Sequence, residues 1–291
     1  MPRRKAPEVV DPDAEPVAPE PLVPGVARAI TPLIRRIVAP NPGMMTGPGT
    51  NTYLVGIDEI AVIDPGPDDD AHLDAIAGCG GDLIRWILCT HTHPDHSPGA
   101  AGLKARTGAE VLAWDSRDGL TVDRKFRHGD QVEATEFRLT GVHTPGHASN
   151  HLCYLMEEEH VLFSGDHIMQ GSTVVIRPPD GNMARYLDSL AQVRAIRRLR
   201  AIAPGHGRLI EDPKEAIDAY VEHRLAREQQ ILDLVTAAGS TRIDDLVEVI
   251  YADIKPELHP VARFTVHAHL LKLAKEGRVK GRSIDGRWSV A

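Results

Sequence analysis

The stretch Cys89-Thr90-His91-Thr92-His93-Pro94-Asp95-His96 constrains the fold of this chain more than any other. It follows the apolar run Leu83-Ile84-Arg85-Trp86-Ile87-Leu88, so three imidazoles and a carboxylate gather where a buried strand ends. His91 and His93 are two residues apart, and at an extended strand end their side chains point the same way and can grip one ion. Pro94 forces a turn, so Asp95 and His96 project elsewhere, as ligands of a second ion nearby would. A histidine-rich surface loop is the plain alternative, and H-x-H-x-D-H argues against it because imidazole with carboxylate suits zinc, iron or manganese.

The other bounds are broad. With 291 residues, 42% hydrophobic and 25% charged, the chain can bury a core for one large domain plus a small one. Its formal charge of −8 argues against a general nucleic-acid coat protein while allowing a local basic surface. Cys79, Cys89 and Cys153 are scattered and without a C-x-x-C, which reads as buried free thiols in a reducing compartment. Basic residues near the N-terminus are followed by prolines and acids instead of a signal-peptide core, and no run approaches the roughly 20 apolar residues of a membrane span. The expected location is cytoplasmic, with no membrane partner.

Residues 1–28 carry seven prolines and read as a disordered tail. Thr52–Val55 and Ile60–Ile63 read as a hairpin, Ala71–Gly78 as a helix, Leu83–Leu88 and Glu110–Trp114 as strands around a helix from Ser97 to Arg106. Residues 131–142 alternate like half-exposed antiparallel strands, and Leu152–Met156 with His160–Phe163 form another hairpin, so the sheets are mixed. A helix over 183–196 and a strand at Ala201–Ala203 follow. Asp212-Pro213-Lys214-Glu215 opens a long helix with Ile217, Val221, Leu225, Leu232 and Val235 on one face, ended by Gly239. Beyond it, a helix capped by Thr241, another over about 261–276 and a terminal hairpin suggest a winged helix. Between Arg263 and Arg287, seven basic residues face two acidic ones. The expected domains are a catalytic unit over 29–211, a connecting helix over 212–239 and the winged helix over 240–291.

Three further ligand types sit where a short apolar strand runs into a glycine-containing turn: His147 after Gly146, Asp166 after Gly165, and His206 after Gly205. Glycine there lets backbone approach a metal closely. His91-x-His93-x-Asp95-His96, with Asp64 upstream and His147, Asp166 and His206 downstream, resembles the metallo-β-lactamase superfamily over about residues 30–210. The resemblance implies an αββα sandwich of two mixed β-sheets. It implies His91, His93 and His147 on one metal, Asp95, His96 and His206 on the other, Asp166 bridging, and Asp64 supporting the loop from behind. Asp166 and the missing signal peptide set the chain apart from true β-lactamases. The Asn41–Thr46 and Gly49–Gly56 stretches plus a winged helix resemble the β-lactamase-like protein 2 group, which includes an endoribonuclease acting on single-stranded RNA. Only 40 residues separate Asp166 from His206, which excludes the nuclease branch with a large inserted domain.

The implied chemistry is hydrolysis. Two divalent ions, zinc first and manganese or iron next, would lie roughly 3.5 to 4 Å apart and present a shared hydroxide to a carbonyl or phosphorus centre. Asp95 would orient that hydroxide and carry a proton to the leaving group. Substrates of two classes compete: a small ester, thioester or lactone, and single-stranded RNA. His151, Lys280 and Arg282 are candidate substrate contacts, and a homodimer is compatible with the sequence. A metal-sensing DNA-binding protein ranks last, since seven ligands exceed what sensing requires. His143, His167, His267 and His269 are left as structural groups.

Overall fold

The structure, a computed structural model, describes residues 21–291. Most of the expected Pro-rich tail, residues 1–20, lies outside the described residues. Residues 21–28 belong to the fold: Gly25 N donates to Val38 O at 2.9 Å, and the first strand begins at Arg28. Backbone pairing with a buried strand thus already holds part of this proline-rich stretch.

The first sheet runs in spatial order β1 (Arg28–Ala29), β2 (Ile34–Val38), β3 (Asn51–Val55), β4 (Ile60–Ile63), β5 (Ile84–Leu88), β6 (Glu110–Ala113) and β7 (Arg124–Lys125). β1 to β4 pair antiparallel; β4 to β7 pair parallel. The parallel half needs crossovers, supplied by α1 (Asp70–Gly78) and α2 (Gly99–Thr107). The second sheet contains β8 (Gln131–Glu133), β9 (Arg138–His143), β10 (Leu152–Met156), β11 (Val161–Gly165) and, past α3 (Met183–Arg194), β12 (Ala201–Pro204). Only its β11–β12 pair is parallel.

Three apolar layers explain the stacking. Tyr53, Val55, Ile63 and Leu88 of one sheet interdigitate with Leu139, Leu152, Tyr154 and Phe163 of the other. The outer face of the first sheet packs on Leu73, Ile76 and Leu103 of α1 and α2. That of the second packs on Tyr186, Leu190 and Val193 of α3 and on Ile217 and Tyr220. Strands buried on both faces, such as β4 and the first three residues of β11, read as continuous apolar runs for this reason. The expected αββα sandwich is the observed one.

The C-terminal part contains α4 (Pro213–Ala238), β13 (Ser240–Arg242), α5 (Ile243–Ile250), α6 (His259–Lys275), β14 (Val279–Lys280) and β15 (Arg287–Val290). β13 joins the terminal hairpin in the order β13-β15-β14, and Trp288 is fully buried among Ile231, Val235, Leu246 and Leu270. Thr241 lies in that extra strand and not at a helix cap; the α5 entry is closed by Arg242 N donating to Asp245 Oδ2 at 3.0 Å. The long helix also buries a different stripe from the expected one: Ile217, Tyr220, Arg224, Glu228, Ile231 and Val235 are inside, while Leu225 is 49% exposed. These positions recur every three or four residues, so α4 shows one continuous face to two cores, the catalytic unit first and the winged helix after.

Candidate metal centre

Seven side chains meet at the ends of strands from both sheets. β5 delivers His91, His93, Asp95 and His96; the loop after β9 delivers His147; β11 delivers Asp166; β12 delivers His206. His91, His93, His147 and Asp166 form one group of ligand atoms within 4.8 Å of one another, and Asp95, His96 and His206 form a second. Asp166 reaches both: its Oδ2 lies 3.7 Å from His147 Nε2, and its Oδ1 lies 3.3 Å from His96 Nε2 and from His206 Nε2.

Hydrogen bonds behind the rings fix which nitrogen faces inward. Thr90 Oγ1 donates to Asp64 Oδ2 at 2.7 Å, so it must accept from His91 Nδ1 at 3.0 Å, leaving the His91 Nε2 lone pair for the centre. His96 Nδ1 donates to Asp64 Oδ2 at 2.8 Å, and His147 Nδ1 donates to Val175 O at 2.7 Å. Oxygen acceptors behind metal-binding imidazoles act in this way. Asp64 thus supports the loop as the resemblance implied, and Thr90 N donates to its other oxygen at 2.7 Å.

The donor set fits divalent metal on its own geometry. His91 Nε2 and His147 Nε2 each approach His93 Nδ1 to 2.9 Å, and two of these lone pairs facing each other repel unless a cation lies between them. His96 Nε2 and Asp166 Oδ1 are buried with no hydrogen-bond partner. Electrostatics agree. Burial and neighbouring imidazoles push His91 down, and push His93 to about 4, so both present lone pairs. Burial disfavours charge on His206, but Asp166 and Asp95 override it and raise the ring to about 9. Burial likewise opposes ionisation of Asp95 and Asp166, yet His96 and His206 hold both below the usual carboxylate range. A cation is what would replace the protons on His96 and His206.

Glycine is required at two of the ligand turns. A Cβ on Gly205 would lie 2.7 Å from His96 Cε1 and 2.8 Å from Asp166 Oδ1, and one on Gly165, at φ 46°, would lie 2.6 Å from Thr90 Oγ1. The His206 turn is pinned further by Asn51, whose Nδ2 donates to Pro204 O and Gly207 O, both at 2.9 Å. Nothing in the residue pattern assigns Asn51 that task except its place in the Gly49–Gly56 stretch.

Seven expected ligands converge, but three expected substrate contacts do not reach the cavity. Beside the centre is a cavity of about 760 Å³ whose lining includes His93, Asp95, His147 and Asp166. Its other walls are mainly apolar: Met44, Met45 and Met169, Val174 and Val175, and, from the winged helix, Ile254, Leu258, Val261 and Phe264. Lys280 and Arg282 line a separate groove with Lys275 and Leu271. His151 is fully buried; its Nδ1 meets Thr144 Oγ1 at 2.9 Å and its Nε2 accepts from Asp166 N at 3.2 Å, so it holds the Asp166 turn. Cys89 and Cys153 are buried free thiols as expected, and Cys79 is half-buried. Among the described residues no helix is long and apolar enough to cross a membrane.

The sequence model of the Metallo-beta-lactamase superfamily matches residues 45–208, and that of the Beta-lactamase associated winged helix domain matches residues 243–288. The chain belongs to the metallo-beta-lactamase superfamily. It is 34% identical to the Beta-lactamase-like protein 2 homolog of Drosophila melanogaster, over 92% of this chain and 97% of that one. The Caenorhabditis elegans homolog of the same name is 30% identical, over 85% and 86%. A Beta-lactamase domain protein from Burkholderia ambifaria has the same fold, with TM-score 0.80 at 21% identity over 96% of each chain. As a superfamily hydrolase, the protein carries a His/Asp cluster able to bind divalent metal.

Proposed function

We propose that the protein is a binuclear metallohydrolase of small acyl compounds: esters, thioesters or lactones. The observation that carries this reading is the cavity wall. A substrate at the centre meets methionine, valine, leucine and phenylalanine side chains, while the basic hairpin faces elsewhere. Such a wall favours an apolar acyl group over a polyanionic backbone.

His91, His93 and His147 with Asp166 Oδ2 would hold one ion, and Asp95, His96 and His206 with Asp166 Oδ1 the other. Zinc suits these donors, as do manganese and iron. When bound, the pair would polarise a carbonyl and lower the pKa of a shared water. Asp64 keeps His96 in the inward-facing tautomer. Asp95, half-buried on the cavity side, accepts from Thr50 Oγ1 at 3.4 Å and can direct a water and then pass its proton to the leaving group. The apolar wall excludes competing water.

The groove bearing Lys275, Lys280 and Arg282 supports a second reading, cleavage of single-stranded RNA. One experiment separates the two. Metal-reconstituted protein is given a panel of thioesters, esters and lactones alongside a labelled RNA strand, with Asp95→Asn as control. Acyl turnover that disappears in the variant, without RNA cleavage, is expected. RNA cleavage that weakens with salt and on neutralising Lys280 and Arg282, without acyl turnover, would sink the acyl reading. The binuclear assignment is checked by His206→Ala, which should lower bound metal from about two ions per chain towards one.

A further inference from the structure

Apart from the metal-facing groups, the cavity lining contains two charged side chains, Arg177 and Asp180. Asp180 is already engaged. Arg117 Nη2 donates to its Oδ1 at 3.1 Å, Ser149 N donates to its Oδ2 at 2.9 Å, and the Ser149 hydroxyl donates to Oδ1 at 2.5 Å. Arg177 is different. Its side chain is exposed, its guanidinium lies 4.4 Å from the centre of the Phe264 ring, and among the described residues it forms no ion pair with a carboxylate. Stacking on an aromatic face leaves the edge of a guanidinium, with its fork of N–H donors, free for a planar anion.

Its place in the chain keeps its backbone close to the metal-facing residues. Val175, two residues earlier, gives the carbonyl that fixes His147, so Arg177 lies within about 7 Å of it along the backbone. The same segment is tied down at Val174 O by Arg224 Nη2 at 2.5 Å and at Ile176 N by Thr265 Oγ1 at 3.4 Å. The cavity thus has the metal-facing carboxylates and imidazoles, an apolar span, and one cation without a counter-charge.

We infer that Arg177 is a specificity-determining residue, selecting acyl substrates that carry a carboxylate at the end remote from the scissile carbonyl. This rests on the acyl-hydrolase reading above. A carboxylate bound by the guanidinium edge would place the acyl chain along Val174, Val261 and Phe264 with its carbonyl towards Asp95 and Asp166. Phe264 would hold the guanidinium in plane through the stack.

The test compares matched thioesters, one ending in a methyl group and one in a carboxylate, on the full-length metal-reconstituted protein and on Arg177→Gln and Arg177→Lys. The wild type should favour the carboxylate substrate through KM, and Arg177→Gln should raise that KM about tenfold while leaving kcat and the methyl substrate nearly unchanged. Arg177→Lys should keep part of the preference, since charge remains and the fork is lost. Calorimetry gives a readout independent of turnover: glutarate should bind wild type more tightly than butyrate, and Arg177→Gln should abolish the difference. If no thioester is hydrolysed but the glutarate preference and its loss are seen, the acyl reading fails and the anion site stands. Equal binding of the two acids to wild type, or an equal KM rise for both thioesters in Arg177→Gln, would overturn the inference.

Discussion

Asp64 is the residue through which one carboxylate serves two ligands. It sits at φ 51°, in the left-handed region, and receives hydrogen bonds from Thr90 N, Thr90 Oγ1 and His96 Nδ1. Asparagine tolerates that backbone, so Asp64→Asn removes charge with little added strain. The variant should fold and bind metal about 10- to 100-fold more weakly, measured by competition with a chromogenic chelator. At this scale the sequence was legible. The H-x-H-x-D-H run and the three glycine turns needed only local geometry, and all seven ligands converge. For His151 the choice between a substrate contact and a structural group stayed open, because a histidine four residues past His147 is locally the same in both. What decides its role is the Asp166 turn, whose amide it accepts, and that turn arrives from another strand.

At the scale of elements, α4 shows where a periodic reading fails. Arg224 and Glu228 occupy the buried stripe, which a rule of apolar residues inside passes over in favour of Leu225. Three- and four-residue spacing from Ile217 through Tyr220 to Ile231 and Val235 was the available signal. Glu228 accepts from Lys272 at 2.7 Å and from His269 Nδ1 at 3.2 Å, whereas Arg224 lies over the Tyr186 ring and donates to Val174 O. Arg224 also anchors the segment that lines the cavity and carries Val175, the acceptor behind His147. Arg224→Ala should therefore lower stability by about 2 to 4 kcal/mol, in a denaturant titration, and should also weaken metal retention. A loss of stability alone would separate α4 from the centre.

For the whole molecule, charge and packing act on different terms. The basic excess of the C-terminal region was readable, but its orientation was not, because α4 sets which face of the winged helix meets the catalytic unit. The face that closes the cavity is Ile254, Leu258, Val261 and Phe264, while Lys280 and Arg282 turn outward. Global stability should depend on acid through His72. Thr52 Oγ1 spends its proton on Asp64 O at 2.6 Å, so His72 Nε2 donates to Thr52 at 2.9 Å and Nδ1 is left buried and unpaired. Burial, only partly offset by Asp69, pushes His72 down to about 4. Its folded value is below its unfolded one, so the unfolded chain takes up the proton first as pH falls. The stability is full above about pH 6.5 and is lost towards pH 4, by about 3 kcal/mol. In unfolding measured at pH 7 and pH 4.5, His72→Gln should lose about 2 to 3 kcal/mol less than wild type between the two.

Trp288 seals the small domain from the last strand, and α6 of that domain forms part of the cavity wall. During synthesis all seven metal-facing residues leave the ribosome more than 80 positions before Trp288 does. A growing chain therefore has all its metal-facing residues before the C-terminal part of the cavity wall has been made. If Arg177 selects substrate as proposed, the Phe264 ring that it stacks on is among the last parts of the site to be made.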